Sequence, residues 1–255
     1  MQVLGIDVGG TGIKAAVVDT ATGALLDQRS RIKTPHPATP EAVAQTLKAV
    51  IAQHAWNGPV GIGFPAAIQR GVARTAANID KSFIGLPIVD YFSQATGCPV
   101  YMANDADAAG LAEVRFGAGK GNLGVVLIIT IGTGLGTALF YGSHLQPNTE
   151  MGHVYLDNGV EAESYASEAV RVTQGLSWDV WGKRLNHYLT TMENLIWPDL
   201  IVLGGAVSKD LKEYAPLLHT HAPVVAASFL NQAGIVGAAL FAEEALKKST
   251  EVLPP

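Results

Sequence analysis

The first glycine-rich stretch of the chain is Asp7-Val8-Gly9-Gly10-Thr11-Gly12-Ile13-Lys14. Largely apolar segments flank the glycines at 3–7 and 13–19. Such segments, bounded by glycine, predict two strands joined by a tight turn. Consecutive glycines also let backbone N–H groups converge on phosphate oxygens without hindrance from a Cβ atom. The stretch therefore predicts a strand–turn–strand unit that can hold a phosphate, although a hairpin turn with no ligand would have the same pattern.

A second glycine-rich stretch is Ile131-Gly132-Thr133-Gly134-Leu135-Gly136. The spacing from Asp7 to Thr130 equals the spacing from Gly9 to Gly132, so the order strand, glycine loop, strand occurs once in each half of the chain. A phosphoryl group gripped from two sides would need two such loops. The repeat therefore predicts two lobes, each of which directs a loop at a shared cleft.

Two other nucleotide-binding motifs, the dinucleotide fingerprint and the P-loop, are not supported by the sequence. Gly10-x-Gly12-x-x-Ala15 loosely matches the dinucleotide fingerprint, but that fingerprint requires a helix after the turn, and residues 15–19 predict a strand. The P-loop pattern is absent from the sequence. A third glycine pair, Gly204-Gly205, follows a buried strand predicted at 200–203, and part of the phosphate donor could lie there, although the pair could equally form a tight turn with no ligand.

Composition excludes several classes of protein. Hydrophobic residues make up 48% of the 255 residues and charged residues 15%, which indicates a compact α/β protein with little disorder. The net charge of −5 argues against a nucleic-acid partner. The single cysteine, Cys98, cannot form an internal disulfide or a cysteine-based zinc site. No membrane partner is expected, because glycines interrupt the uncharged segment 121–149. The N-terminal residues lack the pattern of a signal peptide, so we expect a cytoplasmic location.

Helix signals are clear at three places. Thr39 precedes Pro40 and should cap a helix with the apolar positions 43, 47, 50 and 51. Ser177 should cap a helix over 178–196, and a closing helix is predicted over 235–248. The segment 25–33 is predicted to form one continuous strand.

Several acidic and histidine residues could carry chemistry. Asn104-Asp105 follows an apolar strand, and phosphoryl transfer to an alcohol needs a carboxylate that accepts the hydroxyl proton, although an aspartate there is commonly a helix cap. Glu150, His153 and Glu163 could bind sugar hydroxyls, because carboxylates and imidazoles accept and donate in a small volume. Asp7, at a strand end, could hold Mg²⁺ directly or through water.

These motifs together resemble the ROK family of sugar kinases, and within it the polyphosphate glucokinases. The resemblance is carried, over essentially the whole chain, by Asp7-x-Gly9-Gly10-Thr11-x-x-Lys14, Asn104-Asp105, Gly132-Thr133-Gly134-Leu135-Gly136, Glu150-x-Gly152-His153 and Glu163-Ser164-Tyr165-Ala166-Ser167. It implies an actin-like (ribonuclease H-like) α/β fold with two lobes and a central cleft. The expected small lobe is 1–108 with a helix at 242–255 packing back on it, and the expected large lobe is 109–241.

The resemblance also implies an activity and its residues. Glucose would be phosphorylated at its 6-hydroxyl, with inorganic polyphosphate and possibly ATP as donor and with Mg²⁺, and the enzyme would be a homodimer. Asp105 would be the catalytic base, and Asn104, Glu150, His153 and Glu163 would bind the sugar. The phosphate-binding residues would be Gly9, Gly10, Thr11, Gly12, Lys14, Gly132, Thr133, Gly134 and Gly136.

Three points stay open at this stage. Most family members carry a cysteine-rich zinc cluster just after the Gly-His pair, whereas this sequence has no cysteine there, so no zinc is expected. A strictly ATP-dependent ROK glucokinase or hexokinase, or a non-catalytic sugar-binding protein on the same fold, would share most of the motifs. The path of a polyphosphate chain would need cations, for which the candidates are Lys14, Lys81, Lys120, Lys183 and Arg184.

Overall fold

The protein folds into two compact units. The computed structural model describes the backbone of residues 1–251 and the side chains of residues 1–248. The first unit comprises residues 1–112 and 232–251, and the second comprises 113–231. The lobe boundaries expected from the sequence, at 108/109 and 241/242, stay a prediction, and residues 252–255 of the expected closing segment lie outside the described part.

The first unit is built on a mixed sheet with helices packed against it. Its strands are β1 (Gln2–Val8), β2 (Ile13–Asp19), β3 (Ala24–Leu25), β4 (Ser30–Ile32), β5 (Val60–Phe64), β6 (Ile68–Gln69), β7 (Val72–Ala73) and β8 (Val100–Asn104). Its helices are α1 (Pro40–Gln53), α2 (Ile88–Thr96), the start of α3 (Asp105–Phe116), which continues into the second unit, and α8 (Ala233–Glu251). The order of strands in this sheet is β3-β2-β1-β5-β8, with β4 paired to β2, whereas β6 and β7 form a separate two-stranded sheet.

The predicted strand–turn–strand unit is confirmed. β1 and β2 pair antiparallel from Gln2 opposite Asp19 to Val8 opposite Ile13, while β1, β5 and β8 run parallel. The carboxyl ends of parallel strands meet at one edge of a sheet, so β1 and β8 deliver their last residues to the same edge.

The closing helix α8 packs directly on this sheet. A Cβ atom at Gly61 of β5 would lie 2.0 Å from the carbonyl oxygen of Ala238, so only glycine allows the helix to approach this closely. The helix begins at Ala233, two residues before the predicted start. The predicted α1 is also confirmed, with Thr39 accepting a hydrogen bond from the N–H of Ala42.

The single strand predicted over 25–33 is wrong. Two short strands, β3 and β4, take its place. Between them Asp27 turns its side chain onto β2, where Oδ1 accepts the N–H of Val17 at 2.8 Å and Oδ2 lies 2.5 Å from Nδ1 of His54. The carboxylate thus satisfies a strand N–H group that a neighbouring carbonyl would otherwise bind, and the chain leaves the ladder there.

The second unit contains a second mixed sheet in the order β11-β10-β9-β12-β13. Its strands are β9 (Val125–Ile131), β10 (Leu135–Tyr141), β11 (His144–Gln146), β12 (Leu200–Gly205) and β13 (Val224–Ala226). Its helices are α4 (Ala162–Ala166), α5 (Glu168–Thr173), α6 (Trp178–Ile196) and α7 (Leu211–Tyr214).

Helix α6 supplies much of the core of this unit. It has the predicted bounds and the predicted cap, in which Ser177 accepts the N–H of Val180. The centre of its apolar face is in the core, where Trp181, Leu185 and Leu189 are fully buried. Across residues 1–251, no helix has both the length and the apolar character needed to cross a bilayer.

Candidate active site

The first glycine turn is closed by bonds at both ends. The N–H of Gly9 donates to the carbonyl oxygen of Gly12 at 3.1 Å, and the hydroxyl of Thr34 donates to the carbonyl oxygen of Gly9 at 2.5 Å. Asp7 and Lys14 stand opposite each other in the β1–β2 register, and Lys14 Nζ lies 2.8 Å from Asp7 Oδ2. A phosphate at this turn would therefore meet a lysine whose charge is partly compensated by a carboxylate.

The Asn104-Asp105 pair lies at the same edge of the sheet as Asp7. Asn104 ends β8, and its Oδ1 accepts the N–H of Ala106 at 2.8 Å, while its amide donates to the carbonyl oxygen of Ala66 at 3.4 Å. Asn104 thus caps α3, so the cap does not depend on Asp105 alone. Asp105 is half-buried at the first position of that helix, with Oδ1 2.9 Å from the N–H of Ala106.

The second glycine turn is held by Glu163, one of the residues predicted to bind the sugar. The N–H of Gly132 donates to the carbonyl oxygen of Gly134 at 3.0 Å, which closes the turn. Glu163 Oε2 then accepts the N–H of Leu135 at 2.9 Å. A Cβ atom at Gly134 would lie 2.1 Å from this oxygen, so the glycine is needed for the carboxylate to reach the loop.

The Glu150–His153 segment is fixed against β10. Residues Met151–His153 form a 3₁₀ turn, and the N–H of Met151 donates to the hydroxyl of Thr137 at 3.0 Å. A side chain at Gly152 would collide with the carbonyl oxygen of Leu135, because a Cβ atom would lie 2.0 Å from it. The structure therefore brings Glu150, His153 and the second glycine turn together within one unit.

His153 sits among carboxylates. Its Nδ1 lies 2.7 Å from Glu161 Oε1, and its Nε2 lies 3.8 Å from Glu150 Oε2. The hydrogen bond to Glu161 raises the pKa of His153, with further contributions from the charges of Glu163, Glu161 and Glu150, against a lowering by burial. Burial raises the pKa of Glu150, the charge of His153 opposes this rise, and the nearby Glu163 adds to it. The cluster can both donate to and accept from sugar hydroxyls.

Sequence reasoning missed Glu161. The residue lies two positions before Glu163, just ahead of α4, where an acidic residue ordinarily favours the helix N-terminus. Nothing in the local sequence distinguishes that ordinary role from a contact with His153, since the two residues are eight positions apart.

The third glycine pair lies beside the second glycine turn. Gly205, the last residue of β12, pairs in register with Ile131, and Gly204 pairs with Thr130. Gly205 has a φ angle of 84°, and a Cβ atom there would lie 1.9 Å from the carbonyl oxygen of Ile131. The predicted donor region and the predicted phosphate turn are thus adjacent in the sheet.

The residues present suit a magnesium ion for which water and substrate provide most of the ligands. Among the described residues, no three His, Cys, Asp or Glu side chains cluster as a metal cage. Asp7 stands at a strand end next to the first glycine turn, and its Oδ2 is bound by Lys14. One carboxylate oxygen is enough for Mg²⁺, which usually takes one or two carboxylates, several waters and phosphate oxygens.

Comparison with known proteins gives consistent matches along the chain. The model of the ROK family matches residues 3–171. The polyphosphate glucokinase of Mycobacterium tuberculosis is 47% identical over 237 residues, which cover 92% of this chain and 89% of that protein.

Two solved structures extend the likeness. The inorganic polyphosphate/ATP-glucomannokinase of Arthrobacter sp. strain KM has a TM-score of 0.91 and 46% identity, covering 96% of this chain and 99% of that one. The ROK family glucokinase of Streptomyces griseus, solved with glucose and AMPPNP, has a TM-score of 0.82 and 27% identity, covering 96% and 100%. These likenesses confirm the actin-like α/β fold class predicted from the motifs.

Proposed function

This chain belongs to the ROK family, and we propose that it phosphorylates glucose at the 6-hydroxyl with inorganic polyphosphate, alone or beside ATP, as the donor. The Mycobacterium protein that is 47% identical is a polyphosphate glucokinase, and the Arthrobacter protein that is 46% identical is an inorganic polyphosphate/ATP-glucomannokinase. Their similarity extends over more than nine-tenths of this chain, and the residues matched by the family model, 3–171, contain both glycine turns and the predicted catalytic and sugar-binding residues.

The observation that carries the proposal is the position of Glu163. Its carboxylate binds the N–H of Leu135 at the second glycine turn, and its charge contributes to raising the pKa of both His153 and Glu150. A cluster suited to sugar hydroxyls and a turn suited to phosphate therefore share one side chain. Phosphoryl transfer requires donor and acceptor to be held in line at short distance, and such an arrangement provides for this.

Each predicted residue has a role in this reaction. Asp105 accepts the proton of the 6-hydroxyl as the alcohol attacks the terminal phosphorus of the donor, while the bond from that phosphorus to the bridging oxygen breaks and the shortened polyphosphate, or ADP, leaves. Asn104, Glu150, His153 and Glu163 hold the hexose ring through its hydroxyls. The two glycine turns donate backbone N–H groups to the transferred phosphoryl oxygens, with Lys14 as a nearby charge.

Asp7 would hold Mg²⁺, which when bound supplies neutralisation of charge on the donor phosphates. A homodimeric state, which rests on the family likeness, and a cytoplasmic location are part of the same proposal.

The donor distinguishes this activity from that of an ATP-only glucokinase. We expect glucose 6-phosphate to form with polyphosphate as the donor when ATP is absent, in an assay coupled to oxidation of the product. Activity with ATP and none with polyphosphate would make the chain a strictly ATP-dependent kinase. Glucose binding without turnover by either donor would make it a sugar-binding protein.

A basic path should make polyphosphate use sensitive to salt. Lys183 is 65% exposed and pairs with Asp179 at 2.9 Å, while Arg184 Cζ lies 5.0 Å from the centre of the Tyr165 ring. If these cations line the path, 0.1 M salt should weaken polyphosphate use much more than glucose binding, because exposed charges are screened over about 10 Å. Replacing both with alanine should raise the KM for polyphosphate by about threefold to tenfold and leave that for glucose unchanged.

A matched variant controls for loss of positive charge alone. Lys48 and Lys212 are exposed lysines outside the proposed path, and replacing both with alanine should leave the KM for polyphosphate unchanged. Lys183→Ala alone separates charge from packing, since it leaves Arg184 on Tyr165. Equal use of polyphosphate by parent and double variant at every salt concentration would show that Lys183 and Arg184 do not line the path.

A further inference from the structure

Building on the function proposed above, we infer that Glu161 is a positioning residue for glucose. It holds Nδ1 of His153 and so presents Nε2 of the ring to a hexose hydroxyl. Glu161 belongs to none of the motifs that carry the family resemblance, and its part in the site comes from the contacts of its side chain.

The bond between Glu161 and His153 has a defined direction. The distance from Nδ1 to Oε1 is 2.7 Å, which is in the range of charge-assisted hydrogen bonds. An ionised carboxylate can only accept, so Nδ1 carries a hydrogen and donates it. With Nδ1 occupied by Glu161, the ring meets a ligand through Nε2.

The carboxylate of Glu161 is itself held in place. The hydroxyl of Ser164 donates to Oε2 at 3.2 Å, and the backbone of Glu161 forms a β-bridge with Tyr155. Glu161 occupies the N-cap position of α4, yet its side chain makes no capping bond to that helix. The side chain is directed to the imidazole in preference to the backbone N–H groups that a residue at this position usually binds.

The other ring nitrogen has room for a hydroxyl. Nε2 lies 3.8 Å from Glu150 Oε2, too far for a direct hydrogen bond. One hydroxyl oxygen can lie within about 2.8 Å of both atoms. A protonated ring then donates from Nε2 to that oxygen while the hydroxyl donates to Glu150, so each group is satisfied. His153 is 53% exposed, so a ligand can reach it from solvent.

The charges around the ring determine how binding should depend on pH. The bond to Glu161 is the largest cause that raises the pKa of His153, and the carboxylates of Glu163 and Glu150 act in the same direction. The imidazolium is present below this raised pKa and is lost as the pH rises through it. Glucose binding should therefore weaken as the pH rises through the pKa of His153, and without the Glu161 charge the weakening should begin at a lower pH.

The test is Glu161→Gln, which keeps the length of the side chain and removes its charge. We expect the dissociation constant for glucose to rise by about tenfold. We also expect the pKa of His153, followed by NMR of the imidazole, to fall. The matched control is Asp157→Asn, because Asp157 Oδ1 lies 2.8 Å from Nε2 of His187 and the change removes another carboxylate–imidazole pair in the same region. It should leave both quantities of the parent unchanged.

A double-mutant cycle separates positioning from general support of the fold. If Glu161 acts through His153, Glu161→Gln should weaken glucose binding no further in a His153→Ala background. A full additional loss there, or parental glucose binding and a parental His153 pKa in the folded single variant, would overturn the inference. If Glu161→Gln fails to fold, Ser164→Ala removes the hydroxyl that holds Glu161 and is read by the same two measurements.

Failure of the proposed function would look different. A parent protein that binds no glucose would overturn the function itself, and with it the part of Glu161 in binding this sugar. A parent that binds and phosphorylates glucose, but whose affinity is insensitive to Glu161→Gln, would overturn only the role of Glu161.

Discussion

Replacing Asp105 with asparagine should lower turnover of glucose by about 10²–10⁴-fold, the usual contribution of a general base. Glucose binding should be largely retained. The asparagine oxygen can still accept the N–H of Ala106, so the start of α3 should survive the change. The amide is a far weaker base than a carboxylate and cannot take the proton of the 6-hydroxyl. Steady-state kinetics give the loss of kcat, and calorimetry gives the affinity for glucose.

A second acidic residue in the first turn of a helix provides the control. Asp90 is exposed in the first turn of α2, and Asp90→Asn should leave kcat unchanged. A folded Asp105→Asn enzyme whose turnover is within about tenfold of the parent would show that another group accepts the proton.

Much of the fold could be predicted because its signals are local. Ser177 and the apolar spacing of α6 lie within one segment, and both ends of that helix were predicted at the residues where they occur. The same is true of β2. A capping hydroxyl or a glycine turn acts over three or four residues, so a short stretch of sequence contains the whole interaction.

The errors arise where distant residues decide. The strand predicted over 25–33 is interrupted because Asp27 binds both Val17 and His54, which are 10 and 27 positions away. The spacing of apolar and polar residues in that segment is compatible with one strand. Only the folded sheet places a strand N–H group and a histidine next to the aspartate.

The candidate site also combines features that the sequence predicts with features that depend on distant residues. Glu150, His153 and Glu163 could be predicted as a set from residue types and the resemblance, and the structure brings them together. The bond from Glu163 to Leu135 spans 28 positions, and no local sequence signal predicts it. The contact between Glu161 and His153 likewise has no sequence signal. The sequence thus indicates which side chains suit a sugar, whereas the partners that hold those side chains are visible only in the structure.

Glu163 should give the second large loss, because its carboxylate serves two groups. In the proposed reaction it accepts a sugar hydroxyl, and in the structure its Oε2 accepts the N–H of Leu135 beside Gly134. Glu163→Gln can still accept that N–H through its amide oxygen, so the turn should stay in place while the charged acceptor is lost. Hydrogen bonds to charged groups contribute about 1.5–3 kcal/mol, so the glucose dissociation constant should rise by about tenfold to a hundredfold.

Glu163→Ala removes both interactions and should therefore cost more than the glutamine variant. The N–H of Leu135 loses its acceptor, the second glycine turn is no longer tied to α4, and kcat/KM should fall by about 10²–10³-fold, with part of the loss in kcat. The control is Glu168→Gln, five residues further on. Glu168 pairs only loosely with Arg171, at 3.9 Å, so its replacement should change neither the glucose dissociation constant nor kcat/KM. The comparison of kcat for the alanine and glutamine variants is decisive. Equal values would mean that the bond to Leu135 does not hold the turn for catalysis, whereas a lower value for alanine assigns that share of the rate to the position of the loop.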